Sequence, residues 1–335
     1  MVRIGPVELG DFPLLLAPME DVSDPPFRKL CKEQGADMVY TEFISADGLV
    51  HEAKNTFQKL DIFDYERPIG IQYFGGQLEN MIEAAEIIEA KNPDVIDINF
   101  GCPVAKVACR LAGAGLLRDV PHMVRLTEAV VKSTKRPVTV KTRLGWDTGS
   151  INILEVAERL QDVGIQALTI HARTRQQMYK GEADWSWIAK VKDNPRITIP
   201  IFGNGDVDNP AKALEYRRKY GVDGIMIGRA SIGYPWVFRE IKHYFATGEL
   251  LDPPTVSERV EAARRHLRDS LVWKGPKLGV LEMRRHYAPY FRDLPHIKTF
   301  RARLVTEMDP DVLFGILDEI EETYTHADFS LEPVG

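Results

Sequence analysis

Gly101-Cys102-Pro103 follows directly on the apolar run Val95–Phe100, with Lys106 four residues past the cysteine. Glycine frees the backbone and proline stiffens it, so the thiol between them is held in a defined place at a strand end. Loops at strand ends are where enzymes often carry their chemistry. The competing reading is a buried cysteine acting as a small hydrophobe, and the microenvironment decides between the two. Lys141 closes the apolar stretch Val138-Thr139-Val140. An amine there is a Schiff-base nucleophile, a cation facing an electron-rich ring, or half of an ion pair. His171 ends another apolar run and is a phosphate contact, a ring contact or a satisfied core histidine. Asn99 and Gln72 put amides on apolar strands, where each needs a partner from a ligand or from the fold. Asn204-Gly205-Asp206 and Gly228-Arg229 end the last two apolar runs. Their glycines let backbone N–H groups approach an anion, and Arg229 adds a forked charge. Each glycine alone reads as a tight turn; both together, beside Arg229, point to phosphate.

These residues need a scaffold that gathers strand ends. Strands are expected at residues 14–19, 38–43, 69–74, 95–100, 138–143, 167–172, 199–203 and 224–229. Amphipathic helices are expected between them, among others at 78–91, 122–134, 151–163 and 210–220, the last opened by Asp208-Asn209-Pro210. Eight strands alternating with helices over about 250 residues predict an α/β fold, a (β/α)8 TIM barrel, with its site at the carboxyl ends of the strands. A doubly wound sheet would carry Gly-x-Gly-x-x-Gly after its first strand, but Met19 is followed by Glu20-Asp21-Val22-Ser23-Asp24. Residues 1–10 read as a hairpin closing the barrel bottom. Past Asp252-Pro253-Pro254, helices are expected at 256–273, 277–290, 296–308 and 310–324 without intervening strands. The expected division is a catalytic barrel over 1–250, a small helical bundle over 251–327 and a loose tail over 328–335.

The chain has 335 residues, 44% hydrophobic and 27% charged, enough for a large core. Its opening residues lack a basic segment followed by an apolar run, and no apolar stretch approaches membrane-spanning length. Cys31, Cys102 and Cys109 are too few and odd in number for a disulfide framework and lack zinc-ligand spacing. A cytoplasmic protein without a metal or membrane partner is expected, with a monomer favoured. The net charge is −6, yet residues 254–308 hold twelve Lys and Arg against six Asp and Glu, leaving the remainder at −12. A basic block on an acidic body suggests an anionic partner; the alternative is an ordinary solvated surface.

Taken together, the sequence resembles the tRNA-dihydrouridine synthases, and most nearly their bacterial B-type branch. The matching segments are Ala17-Pro18-Met19, Asp24-Pro25-Pro26-Phe27-Arg28, Ile96 to Pro103, Lys106-Val107 and Ala112-Gly113-Ala114-Gly115-Leu116-Leu117. Val140-Lys141-Thr142-Arg143, Leu168 to Thr174, Asn204-Gly205-Asp206 and Met226-Ile227-Gly228-Arg229 continue them. The resemblance implies FMN, NADPH as reductant, and uridine of the tRNA D-loop as substrate. It implies Cys102 as general acid and Pro18, Met19 and Gln72 as flavin-ring contacts. Lys141 would sit by the ring's pyrimidine side. His171, Asn204, Gly205, Asp206, Gly228 and Arg229 would surround the phosphate. Glu20-Asp21 departs from the small residues many members carry, placing Glu20 at the cofactor loop. Asn99, Lys106, Arg143, Arg173, Arg284, Arg285, His286, Lys298 and Arg301 are the expected substrate contacts, with Arg264, Arg265 and Arg303 as further basic candidates. Tyr287, Tyr290 and Phe291 are base-stacking surfaces or, the preferred reading, bundle core. The rivals are an orotate-type FMN barrel, a Schiff-base aldolase using Lys141, and a non-catalytic RNA-binding barrel.

Overall fold

The computed structural model describes residues 1–104, 108 and 111–326. Lys106, Cys109 and the tail expected over 328–335 lie outside the described residues. The hairpin is β1 (Val2–Ile4) and β2 (Val7–Gly10), paired through Ile4 and Val7 around Gly5-Pro6. A parallel sheet then runs through β3 (Leu14–Leu16), β4 (Val39–Tyr40), β6 (Ile69–Phe74), β7 (Val95–Phe100), β8 (Val138–Arg143), β9 (Ala167–His171), β10 (Ile201–Asn204) and β11 (Gly224–Ile227). β11 pairs back onto β3, and a Leu15–Met38 bridge joins β3 to the start of β4. The sheet is therefore an eight-stranded TIM barrel with helices between successive strands. β5 (Ile44–Ser45) adds a short pairing onto the end of β6.

Period-two alternation sorts the strand residues. On β7, Ile96, Ile98 and Phe100 face the surrounding helices, while Val95, Asp97 and Asn99 point inward. Inside, Leu15, Tyr40, Val95, Ala167, Phe202 and Met226 form a separate apolar cluster closed by Ile4 and Leu9 of the hairpin. The hairpin thus seals the bottom of the barrel, and the polar inward residues fall toward the carboxyl end.

Three expected strands are markedly shorter than anticipated. β3 stops at Leu16 because Pro18 cannot continue the ladder, the run over 38–43 is strand only at β4, with β5 following it, and the run over 224–229 is strand only to Ile227. Beyond the barrel, helical residues 256–274 and 276–290 meet at Gly275 (φ 78), with Pro276 opening the second helix. Lys298–Thr306 and Pro310–His326 follow. Tyr287, Tyr290 and Phe291 are fully buried and belong to the core. Their apolar cluster is continuous with the layer between the barrel and its helices.

Candidate functional site

The carboxyl ends of the strands surround one cavity of about 820 Å³. Pro18, Met19, Glu20, Gln72, Asn99, Cys102, Lys141, Arg143, His171, Asn204, Gly205, Asp206, Gly228 and Arg229 all line it. On its β7 side the Cys102 turn is clamped from below. Asn99 Oδ1 accepts the backbone N–H groups of Gly101 and Cys102, each at 2.9 Å. Asn99 Nδ2 donates to Gln72 Oε1 at 2.8 Å, and Gln72 Nε2 donates to Asp97 Oδ2 at 2.5 Å. Arg143 Nε closes the turn from β8 by donating to the Gly101 carbonyl at 2.8 Å. Burial raises the Cys102 thiol pKa, and the Val104 N–H and the Arg143 charge only partly oppose it. The thiol is therefore kept protonated at neutral pH.

Lys141 stands beside Asn99 in the β7–β8 register. Burial, then the Arg143 charge, lowers its pKa to about 8. Burial likewise holds the neighbouring His171 imidazole well below its usual range, with Arg143 and Lys141 adding to the effect. Tyr179 spans this side of the cavity, its ring 5.6 Å from the Arg143 guanidinium and 5.0 Å from that of Arg229.

The loop after β10 is shaped by a tryptophan. Trp185 packs so closely on β10 that a Cβ at Gly203 would lie 2.0 Å from its ring, and its Nε1 donates to the Gly205 carbonyl at 2.9 Å. Gly205 adopts φ +123, a conformation side chains rarely allow. Asp206, next along, accepts from Arg173 Nη1 at 2.8 Å, Arg173 Nη2 at 2.6 Å, Ala183 N–H at 2.8 Å and Arg229 Nη2 at 3.0 Å. Burial pushes the Asp206 carboxyl up, but these bonds and the two arginine charges outweigh it and hold the pKa low. Arg229 remains half exposed at the cavity mouth beside Gly228.

The dihydrouridine synthase family model matches residues 15–327. The chain belongs to the dihydrouridine synthase family. It is 40% identical over 311 residues to tRNA-dihydrouridine synthase B of Pseudomonas aeruginosa, covering 93% of each chain. It is 41% identical over 304 residues to a probable tRNA-dihydrouridine synthase 1 of Synechocystis, covering 89% of this chain and 84% of that one. Among solved structures, histamine dehydrogenase from Rhizobium superposes with a TM-score of 0.57 at 14% identity, over 79% of this chain and 50% of that one. That likeness shows the barrel fold alone, and this chain spans about half the length of the matched structure.

Dihydrouridine synthases use FMN with NADPH as reductant, and the cavity fits that flavin. Its volume is in the range of cofactor sites, and one rim offers Gly205, Gly228 and Arg229 to a phosphate. The other wall offers the Gln72 and Asn99 amides and Lys141 to a polar ring.

The structure redistributes the other expected substrate contacts of this synthase. Arg173 is a correction: it is 2% exposed, and its three nitrogens are committed to Asp206 and to the Lys180 and Gly181 carbonyls. His286 is another, buried to 2% against Phe27 and His266 with its Nδ1 accepting the Gly233 N–H, so RNA cannot reach it. Arg284 donates to the Thr306 and Glu307 carbonyls and ties two helices together. Arg264 pairs with Asp318 and Glu321, Arg265 with Glu33, and Arg303 with Glu319. Much of the basic block is thus spent within the fold. Arg285 reaches the cavity, donating to the Glu20 carbonyl at 3.1 Å and to Asp21 Oδ2 at 2.6 Å. Glu20 and Glu42 also share Lys59. The acidic departure at Glu20-Asp21 thus has basic partners in this chain.

Lys298 is exposed. Arg301 lines a second recess of about 380 Å³ with Arg229, Tyr234 and Arg292, which shares Arg229, Ala230 and Ile232 with the wall of the main cavity. Sequence reasoning missed Arg292, which stacks 3.8 Å from the Tyr234 ring centroid, and also Tyr179 and Lys212 of the main cavity. None lies in a motif; only the adjacent Arg-Asp pair at 292–293 and the Asn209-Pro210 helix start marked their neighbourhoods.

Proposed function

We propose that this chain reduces the C5=C6 bond of uridine in the tRNA D-loop, with FMN and NADPH and with Cys102 as proton donor. The observation that carries the reading is the clamped, buried Cys102 thiol in the same cavity as the Gly205, Gly228 and Arg229 rim. Asn204, Gly205, Asp206, Gly228, Arg229 and His171 would hold the FMN phosphate. Pro18, Met19, Glu20 and Gln72 would hold its ring, with Lys141 as the nearby cation. Bound and reduced, FMN supplies the hydride for uracil C6.

The protein's own part is the proton. Cys102 Sγ carries it to the carbon left electron-rich at C5; the S–H bond breaks, a C–H bond forms, and the thiolate is reprotonated from water. An acid for this step must stay protonated until it is needed, which is what burial of Cys102 favours. Asn99 and Arg143 would orient the base, which must first leave its stack to enter the cavity. Arg285, Arg292, Lys298 and Arg301, with Lys106 outside the described residues, would take the tRNA backbone. In this reading residues 1–250 form the catalytic domain, 251–327 a tRNA-binding helical domain and 328–335 a tail, in a cytoplasmic monomer. Among the described residues no helix is long and apolar enough to cross a membrane.

The test is Cys102→Ala assayed with tRNA lacking dihydrouridine. The variant is expected to purify yellow and bind tRNA, with turnover reduced by about 10²- to 10⁴-fold, the usual worth of general acid catalysis. Turnover within threefold of wild type removes Cys102 from the reaction. A colourless wild-type protein removes the flavin.

A further inference from the structure

Asp97 takes no part in the chemistry assigned above, yet it lies directly beneath the site. It is an acid on the inner face of β7, 1% exposed, between Gln72 of β6 and Thr139 of β8 in register. Its two oxygens are separately engaged. Thr139 Oγ1 donates to Oδ1 at 2.5 Å, and Gln72 Nε2 donates to Oδ2 at 2.5 Å. A carboxylate accepts and does not donate. The bond to Oδ2 therefore decides which way the Gln72 amide faces.

That choice propagates. With its NH₂ turned to Asp97, Gln72 presents Oε1 to Asn99 and accepts from Asn99 Nδ2 at 2.8 Å. With its NH₂ so engaged, Asn99 presents Oδ1 to the N–H groups of Gly101 and Cys102. A reversed chain would set the Asn99 NH₂ against those two N–H groups, donor against donor. The inner end of the chain is set by a carboxylate and the outer end by two backbone donors, so a single polarity satisfies both.

We infer that Asp97 is a positioning residue for this reaction: through Gln72 and Asn99 it fixes the polarity of the amide chain that holds the Cys102 turn. The inference rests on the proposed role of Cys102. A second consequence concerns the ligand. Each amide spends one N–H within the chain, and both residues line the cavity. The polarity set by Asp97 leaves them a second N–H each, so this wall is built to meet acceptor atoms, the carbonyl oxygens or ring nitrogens of a heterocycle. Burial raises the Asp97 pKa to about 6 against the Gln72 and Thr139 bonds, so the carboxylate form holds at neutral pH.

The experiment compares Asp97→Leu, Asp97→Asn and Gln72→Met as purified holoenzymes. The first readout is the pH dependence of iodoacetamide labelling at Cys102, followed by mass spectrometry on the tryptic peptide ending at Lys106. This peptide excludes Cys31 and Cys109, and the measurement is independent of turnover. Asp97→Leu is expected to label Cys102 at least fivefold faster than wild type at pH 8. Asp97→Asn keeps an acceptor for Gln72 and is expected to stay within threefold. The second readout is steady-state kinetics, where Asp97→Leu lowers kcat at least tenfold with KM for tRNA within threefold.

Should Asp97→Leu fail to fold, Gln72→Met breaks the same chain while leaving Asp97 bonded to Thr139. It is expected to speed labelling to the same extent. Wild-type labelling and kcat in whichever of these two variants folds overturns the inference. So does an Asp97→Asn protein as perturbed as Asp97→Leu, because charge rather than chain polarity would then be responsible. Loss of kcat in Cys102→Ala with wild-type labelling in Asp97→Leu would sink this inference alone. Full activity of Cys102→Ala would sink the reading beneath it.

Discussion

Replacing Asp206 with alanine tests how the phosphate rim is held together. The substitution removes four hydrogen bonds at once, two of them from Arg173, which has little access to water. The main loss is at Arg173, whose side chain is 3% exposed and would keep the Lys180 and Gly181 carbonyls and a 3.5 Å contact with His171 Nε2, but no counter-charge from Asp206. Removing one partner of a buried pair costs about 3–5 kcal/mol, because the other charge stays behind unpaired. Asp206 is 20% exposed, so water can partly replace it and the lower end applies. The half-exposed Arg229 bond adds at most about 1 kcal/mol. A loss near 3 kcal/mol is expected, lowering Tm by roughly 4 °C for a chain of 335 residues. The acid limb supplies a second signature. The folded pKa of Asp206 lies below the ordinary value of 3.8, so its stabilisation is complete above that pH and is lost as pH falls through the folded value. Thermal unfolding followed by circular dichroism at pH 7 and over a descending series below pH 3.8 measures both, and the ratio of absorbance at 450 to 280 nm reports flavin retention. Asp206→Ala should unfold earlier at pH 7, converge toward wild type in acid, and retain less flavin. A Tm within 1 °C of wild type at pH 7 would show that Arg173 does not depend on Asp206.

Lys141 should set an alkaline limb on kcat/KM. Its cationic form predominates below about pH 8, so activity falls about tenfold per unit above that pH; Lys141→Arg, which keeps its charge, should remove the limb, and an unchanged profile would exclude Lys141 as its source. Neutralising Arg292 or Arg301 should weaken tRNA binding and lower the salt slope by about one unit each. Arg264→Ala, whose charge already serves Asp318 and Glu321, should leave that slope unaltered in a titration by filter binding. The buried His266–His286 pair predicts acid sensitivity. Burial lowers His266 to about 3 from 6.5, so its share of stability is whole above pH 6.5 and drains away as pH falls toward 3. His266→Phe, stacked on Phe27 as the imidazole is, should flatten the urea midpoint between pH 7 and pH 5.

Much of the barrel was legible because eight short apolar runs alternate with amphipathic stretches. Asn99, Lys141 and His171 stand at or near the carboxyl ends of such runs, which a barrel gathers at one mouth. The hairpin at the bottom was legible from Gly5-Pro6 between the apolar runs Val2–Ile4 and Val7–Leu9. The misplacements share one cause. Arg173 and His286 carry chemistry by type, but burial by remote partners gives them structural work. Asp206 lies 33 residues from Arg173, and Gly233 lies 53 from His286. The basic block was visible as a count, yet its pairing with Glu33, Asp318, Glu319 and Glu321 was not.

By itself the sequence determined the strand–helix alternation, the Gly-Cys-Pro turn and the glycine-arginine rim, because each is a local property of residue type and spacing. Only the tertiary structure decided which cations remain available to an anionic partner and which way the Gln72–Asn99 amides face. Those outcomes depend on desolvation and on hydrogen-bond partners brought together by barrel closure, and no window of sequence contains both members of such a pair.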